Sequence, residues 1–175
     1  MSFRKAWYVL YTKSRSEKKV AERLAREGFD VFFPTKKELR QWSDRKKMVE
    51  VPLFNSYVFI HLNDDREYLA ALQDKGVSWF VYHENRPAIL PDSQMEFIRR
   101  MAGDEKVIEV LDASDIKPGE RVMIEFGPFA DCEGEVMDHQ GARRVMVRLE
   151  TLGQAVVVDI PVENLKVVSE TASVD

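Results

Sequence analysis

The chain has 175 residues, enough for one domain or two small ones, and its 45% hydrophobic against 32% charged content supports a core beneath a soluble surface. The net charge of −4 is unevenly spread: residues 1–50 carry 14 Lys+Arg against 7 Asp+Glu, and residues 51–175 carry 12 against 23, so a basic leading segment that suits a polyanion precedes an acidic remainder. There is no apolar run near the ~20 residues of a membrane helix, MSFRKAWYVLYTK lacks the apolar stretch of a secretory signal, and the single Cys132 excludes an internal disulfide or a zinc–cysteine cluster; the expected setting is a reducing cytoplasm.

Trp7 to Tyr11 reads as a strand of aromatic and β-branched residues. Ser14-Arg15-Ser16-Glu17 fits a capping box, with Ser14 expected to cap and Glu17 to reach back. The helix it opens runs to about Glu27, with Val20, Ala21 and Leu24 as its apolar stripe and Gly28 to end it. Phe29, Val31 and Phe33 alternate into a second strand that stops near Pro34. Residues 36–47, KKELRQWSDRKK, read as a basic hairpin arm with a polar tip at Ser43-Asp44, and Met48 to Leu53 returns as a strand.

Tyr57 to Ile60 is the strongest strand signal in this half. Asn63-Asp64 can cap a short helix from Arg66 to Gln73, Val77 to Tyr82 is another strand, and Pro91-Asp92 opens a helix with Met95, Ile98 and Met101 at i, i+3, i+6. The order β-α-β-β-β-α-β-α predicts an α+β sandwich on an antiparallel sheet over 1–101. Residues 102–115, where acids outnumber the one lysine, read as a linker.

From 116 to 168 about five short strands are predicted, with apolar cores at Val122–Phe126, Glu135–Met137, Val145–Leu149, Val156–Ile160 and Leu165–Val168. In RVMIEFGPFADCEGEV, Val122, Ile124 and Phe126 alternate, Gly127-Pro128 breaks the strand before Phe129, and Gly134 opens the return. This arrangement resembles a KOW motif (Gly127, Pro128, Phe129, Gly134), found in small all-β barrels. The tail, 169–175, reads as disordered.

Three further segments, WYVLYTKSRSEKKVAERL, VPLFNSYVFI and KGVSWFVYHENRPAILP, resemble the N-terminal domain of the NusG family of transcription elongation factors, and N-domain, linker and KOW barrel follow in the family's order. The resemblance covers about residues 5–168. Asn55-Ser56 stands where the family usually has a Pro-Gly or Pro-Asn pair, which hints at a specialised paralogue of the RfaH-like or UpxY-like kind, regulators that act at particular operons such as those for polysaccharide synthesis.

The resemblance implies further expectations. A concave apolar patch at Tyr11, Phe54, Tyr57, Phe59, Phe80 and Val81 would bind the clamp helices of the RNA polymerase β′ subunit. Lys13, Arg15, Lys19, Arg23 and Lys75 would face the non-template DNA strand. The β-subunit gate loop is a further candidate partner, although Glu67 to Ala70 lacks the His-Thr-Thr run used for it. Leu152-Gly153 matches the adaptor position through which such barrels meet Rho or a ribosomal protein, and Val156-Val157-Val158 with Gly134 favours a stable β form without a fold switch. A monomer that suppresses pausing and termination follows.

Two alternatives are a general NusG-type factor and a KOW-type, ribosome-associated RNA-binding protein. The second fits poorly with a barrel whose cations are only Lys117, Arg121, Arg143, Arg144, Arg148 and Lys166. Catalysis finds no support: His61, His83 and His139 lack metal-ligand spacing and there is no phosphate-cradling glycine loop. No metal, cofactor or membrane contact is expected.

Overall fold

The structure, a computed structural model, describes residues 2–115 and 118–168; the expected disordered tail lies outside them. The chain divides into two compact units, 1–103 and 104–175.

The first unit is built on a four-stranded antiparallel sheet. Its strands are β1 (Ala6–Thr12), β2 (Asp30–Phe32), β5 (Tyr57–Leu62) and β6 (Val77–Phe80), in the order β2-β5-β1-β6. The central pair runs in register from Ala6 opposite Leu62 to Tyr11 opposite Tyr57. Alternation then divides the sheet into two faces.

On one face Tyr8, Leu10, Val58, Ile60, Leu62 and Phe80 are buried beneath helix α1 (Glu17–Arg26) and helix α2 (Asp65–Leu72). Val20, Ala21 and Leu24 of α1 and Ala71 of α2 join that cluster. On the other face lie Trp7, Val9, Tyr11, Tyr57 and Phe59. Helix α3 (Asp92–Met101) reaches it: the Arg99 guanidinium stands 5.2 Å from the Trp7 ring and 5.0 Å from that of Phe32. Met95, Ile98 and Met101 are buried, as their spacing predicts.

Strands β3 (Thr35–Gln41) and β4 (Lys46–Pro52) form a separate hairpin, the expected basic arm. A second small hairpin, β7 (Tyr82–His83) with β8 (Arg86–Pro87), follows β6. The observed order therefore holds more strands than the sequence pattern predicts, because both halves of the arm and this short hairpin count.

Two local expectations are corrected. Ser14 does not cap α1; the N-cap position is Ser16, without a side-chain cap bond. The Glu17 carboxylate instead accepts the backbone N–H of Ser56 at 2.8 Å. It thereby steadies the Asn55-Ser56 turn, where Ser56 sits at φ 64°. At α2 the cap is as expected, Asp64 accepting from the N–H groups of Arg66 and Glu67.

The second unit is a six-stranded antiparallel sheet in the order β14-β10-β11-β12-β13-β9. Its strands are β9 (Val107–Asp112), β10 (Glu120–Ile124), β11 (Glu133–His139), β12 (Ala142–Leu149), β13 (Gln154–Val158) and β14 (Leu165–Val167). The stretch read as an acidic linker thus supplies a strand: Val110 stands opposite Val156 and Leu111 opposite Ala155. Edge position hides its alternation in sequence, since an edge strand needs less burial than a central one.

Candidate functional site

Strand period decides which aromatic residues share a surface. Tyr11 faces Tyr57 across β1 and β5, and Trp79 stands opposite Tyr11 from β6. The Tyr11 and Trp79 rings stack at 4.7 Å with planes 4° apart. Tyr11 meets Tyr57 edge-on at 5.9 Å, and Tyr57 lies over Phe54 at 6.2 Å and 17°. Phe54 in turn meets Phe59 at 5.6 Å. One continuous aromatic run therefore crosses the second sheet face. Its solvent-facing members are Trp79, which is 54% exposed, and the half-buried Tyr11 and Tyr57. Phe54 and Phe59 are buried and form the floor.

Phe80 and Val81 do not belong to that run in the way the pattern suggests. Phe80 pairs with Leu10 and is buried on the opposite face, against Tyr8 and Tyr68. Placing it in the patch is corrected by its parity: Trp79, one residue earlier, takes the exposed place. Val81 is half-buried and donates its backbone N–H to Val9 O at 2.8 Å. Trp79 is the residue that sequence reasoning misses. Its signal was the alternation within SWFV together with the register against Tyr11, and only the first is visible in a single sequence.

The expected cationic surface is partly spent. Lys13, Arg15, Lys19 and Lys75 are exposed. Arg23 instead grips Asp74 with two bonds, Nε at 2.8 Å and Nη2 at 2.7 Å. Asp74 also accepts the Gly76 N–H at 2.8 Å. The Arg23 bonds, aided by the Gly76 N–H, hold the Asp74 carboxyl below the ordinary aspartate range against the opposing effect of burial. The carboxylate likewise raises the Arg23 guanidinium. Arg23 is thus a strut between α1 and the loop before β6, and its correction from strand-facing cation to structural partner follows from that geometry.

The strut also places other groups. Lys13 donates its backbone N–H to Gly76 O at 2.8 Å, which brings the Lys13 and Lys75 loops side by side. Gly76 cannot carry a side chain there: a Cβ would stand 2.5 Å from Val20 Cγ2. An open groove of about 940 Å³ lies beside this surface, with Arg15, Lys18, Arg40, Asn55 and Ser56 on its walls.

In the second unit the Gly127-Pro128 turn is present, with Gly127 at φ 90°. The strand before it ends at Ile124, so Phe126 is 62% exposed rather than part of the alternation. Phe129 is the buried aromatic of this motif. Gly134 is a close-packing glycine, since a Cβ would meet Val145 Cγ1 at 2.5 Å. Leu152 is buried, and the exposed Gly153 turns in the left-handed region at φ 63°. Two of the unit's few cations are paired, Arg121 with Glu133 and Arg148 with Glu135, each at 2.6 Å. Among the described residues no group of three or more His, Cys, Asp or Glu is placed to hold a metal ion, and no helix is long and apolar enough to cross a membrane.

Residues 5–99 match the family described as transcription termination factor nusG. The transcription termination/antitermination protein NusG of Staphylococcus carnosus is 25% identical over 177 residues, covering 93% of this chain and 95% of that protein. NusG of Staphylococcus epidermidis shows the same identity and coverage. A solved structure of Thermotoga maritima NusG, determined for the interaction of its domains, is similar at a TM-score of 0.59 and 26% identity, covering 95% of this chain and 98% of that one.

Proposed function

The chain belongs to the NusG family of transcription termination and antitermination factors, and on that premise we propose that its first unit docks on bacterial RNA polymerase through the aromatic run of Trp79, Tyr11 and Tyr57. The partner would be the pair of clamp helices of the β′ subunit. Helix-in-groove recognition uses large, rigid rings because they bury much area while few rotors freeze. The observation that supports this reading is the stacked, half-open aromatic surface on an otherwise buried sheet face: contiguous exposed rings, unlike single exposed apolar residues, are typical of interaction sites.

The consequence is mechanical. A ligand that binds the closed clamp more tightly than the open one shifts the clamp toward closure by its difference in affinity. Pausing and hairpin-dependent release need the clamp to loosen, so both become rarer. Lys13 and Lys75, on adjoining loops, with Arg15 and the exposed Lys19 of α1, would attract the phosphates of the displaced non-template strand. The Asn55-Ser56 turn supports a specialised factor acting at particular operons. For the second unit the pairing of Arg121 and Arg148 with carboxylates favours a protein partner over RNA.

A paused in-vitro transcription assay with purified polymerase tests the reading. Shorter pauses and more read-through with the protein present are expected; identical pausing and release with and without it would overturn the proposal.

A further inference from the structure

The arm formed by β3 and β4 has two chemically different faces. Register places Leu39 opposite Met48, Lys37 opposite Glu50 and Gln41 opposite Lys46 on one face. The other carries Glu38 opposite Val49, then Arg40 opposite Lys47 and, beyond them, Trp42 beside Arg45, whose carbonyl accepts the Trp42 N–H at 2.7 Å. Trp42 is 53% exposed. Lys47 and Arg45 enter no ion pair among the described residues, and Arg40 has only an exposed contact of 3.5 Å with Glu38, of the kind that contributes little. Arg40 also lines the groove that holds Arg15 and Lys18. Two acids border that groove, Glu17, which accepts from Ser56 N, and Glu50, which accepts from Thr35 Oγ1; Arg15, Lys18 and Arg40 outnumber them.

Beyond Glu38, three cations, Arg40, Lys47 and Arg45, therefore lead from the groove-lining Arg40 out along a single face of the arm to a tryptophan at its end. We infer that this face is a second nucleic-acid contact, one that lays an unpaired strand along Arg40, Lys47 and Arg45 and stacks a base on Trp42. The inference rests on the nucleic-acid contact proposed for the first unit and extends it to a different element. Lysines alone would suit a solvated edge that resists aggregation, but that role is worsened by an exposed tryptophan. Cations interleaved with an aromatic ring are instead the chemistry of single-strand binding, where phosphates meet charge and every base offers a face to stack. A two-stranded ribbon also fits the major groove of a duplex, which the test must separate.

The full chain is titrated by fluorescence anisotropy against a labelled single-stranded DNA of about a dozen nucleotides, within the site sizes of such proteins, and against the same sequence as RNA and as duplex DNA. Two double variants remove equal charge: Arg45→Gln with Lys47→Gln on the tryptophan face, and Lys37→Gln with Lys46→Gln on the other. The first should weaken single-strand binding and lower the salt slope by about 1.4, from ~0.7 per phosphate contact; the second should do neither. Trp42→Ala should weaken binding by about 5-fold or more at unchanged slope. DNA and RNA responding alike identifies a general single-strand contact, and DNA alone responding identifies displaced DNA as the ligand; either supports the inference. Equal effects of the two double variants, tighter binding of the duplex than of the single strand, or no binding by the unsubstituted protein would overturn it. If Lys13→Gln with Lys19→Gln weakens binding while every arm variant leaves it unchanged, the arm falls and the contact proposed for the first unit stands.

Discussion

Tyr11 and Trp79 stack face to face, ring centroids 4.7 Å apart and planes 4° from parallel, on adjacent strands whose register sets them opposite each other. The next residue, Phe80, points through the sheet into the core. Two neighbouring aromatics thus have separate tasks, and they should respond differently to truncation. Trp79→Ala should leave the melting temperature nearly unchanged while weakening polymerase binding by about 2 kcal/mol, the loss typical of an aromatic anchor. Phe80→Ala should instead destabilise the first unit by about 3–5 kcal/mol. Thermal unfolding alongside polymerase binding separates the two; a Trp79 variant that unfolds early but binds normally would reverse the assignment.

The Asp74 carboxyl titrates below the ordinary aspartate range because Arg23 and the Gly76 N–H favour its charged form. A carboxyl whose folded value is lowered contributes stability above the unfolded value and loses it as pH falls through the folded one. Stability of the protein should therefore decline on acidification below the ordinary aspartate range. Asp74→Asn should be less stable at neutral pH and show a shallower acid decline. Equal slopes for the two proteins in melts across that pH range would show that the pair carries no such linkage.

Glu17 is nearly buried at 6% exposure and accepts the Ser56 N–H. Glu17→Ala should cost about 1.5–3 kcal/mol, the range for a hydrogen bond to a charged group. Because Ser56 also accepts the Thr12 N–H at 2.7 Å, amide exchange at Thr12 and Ser56 should accelerate first. Loss of stability with those two amides still protected would place the role of Glu17 elsewhere.

Gly134 packs against Val145 and the Met146 carbonyl, and a Cβ there would stand 2.5 Å from Val145 Cγ1. Gly134→Ala should lower the stability of the second unit by about 1–3 kcal/mol, as overpacking does. With two units in the chain, calorimetry should show the second unit's transition moving. A shift in the first unit's transition instead would contradict this.

Much of this architecture was legible in the residues because burial imposes periods. Val20, Ala21 and Leu24, or Met95, Ile98 and Met101, can share one side of a helix only at their spacing. Tyr57 and Phe59 alternate with the core residues Val58 and Ile60 because successive strand side chains point to opposite faces of the sheet. What escaped depended on long-range partners. Glu17 satisfied a local capping pattern, yet its hydrogen-bond partner is Ser56. Trp79 looked no different from Phe80 until the register with β1 fixed which of them faced out. Arg23 looked like any helix cation, and only Asp74, brought up by the turn before β6, revealed it as a strut. Strand β9 resembles a linker in sequence because acids interrupt its apolar residues, and an edge strand tolerates them.

The most direct test of the central claim is equilibrium binding of the intact protein to purified bacterial RNA polymerase, with an isolated β′ clamp-helix fragment as competitor. Saturable binding that the fragment abolishes, and that Trp79→Ala with Tyr57→Ala loses, is the predicted result. Binding that the fragment leaves untouched, or that survives loss of both rings, would contradict the account.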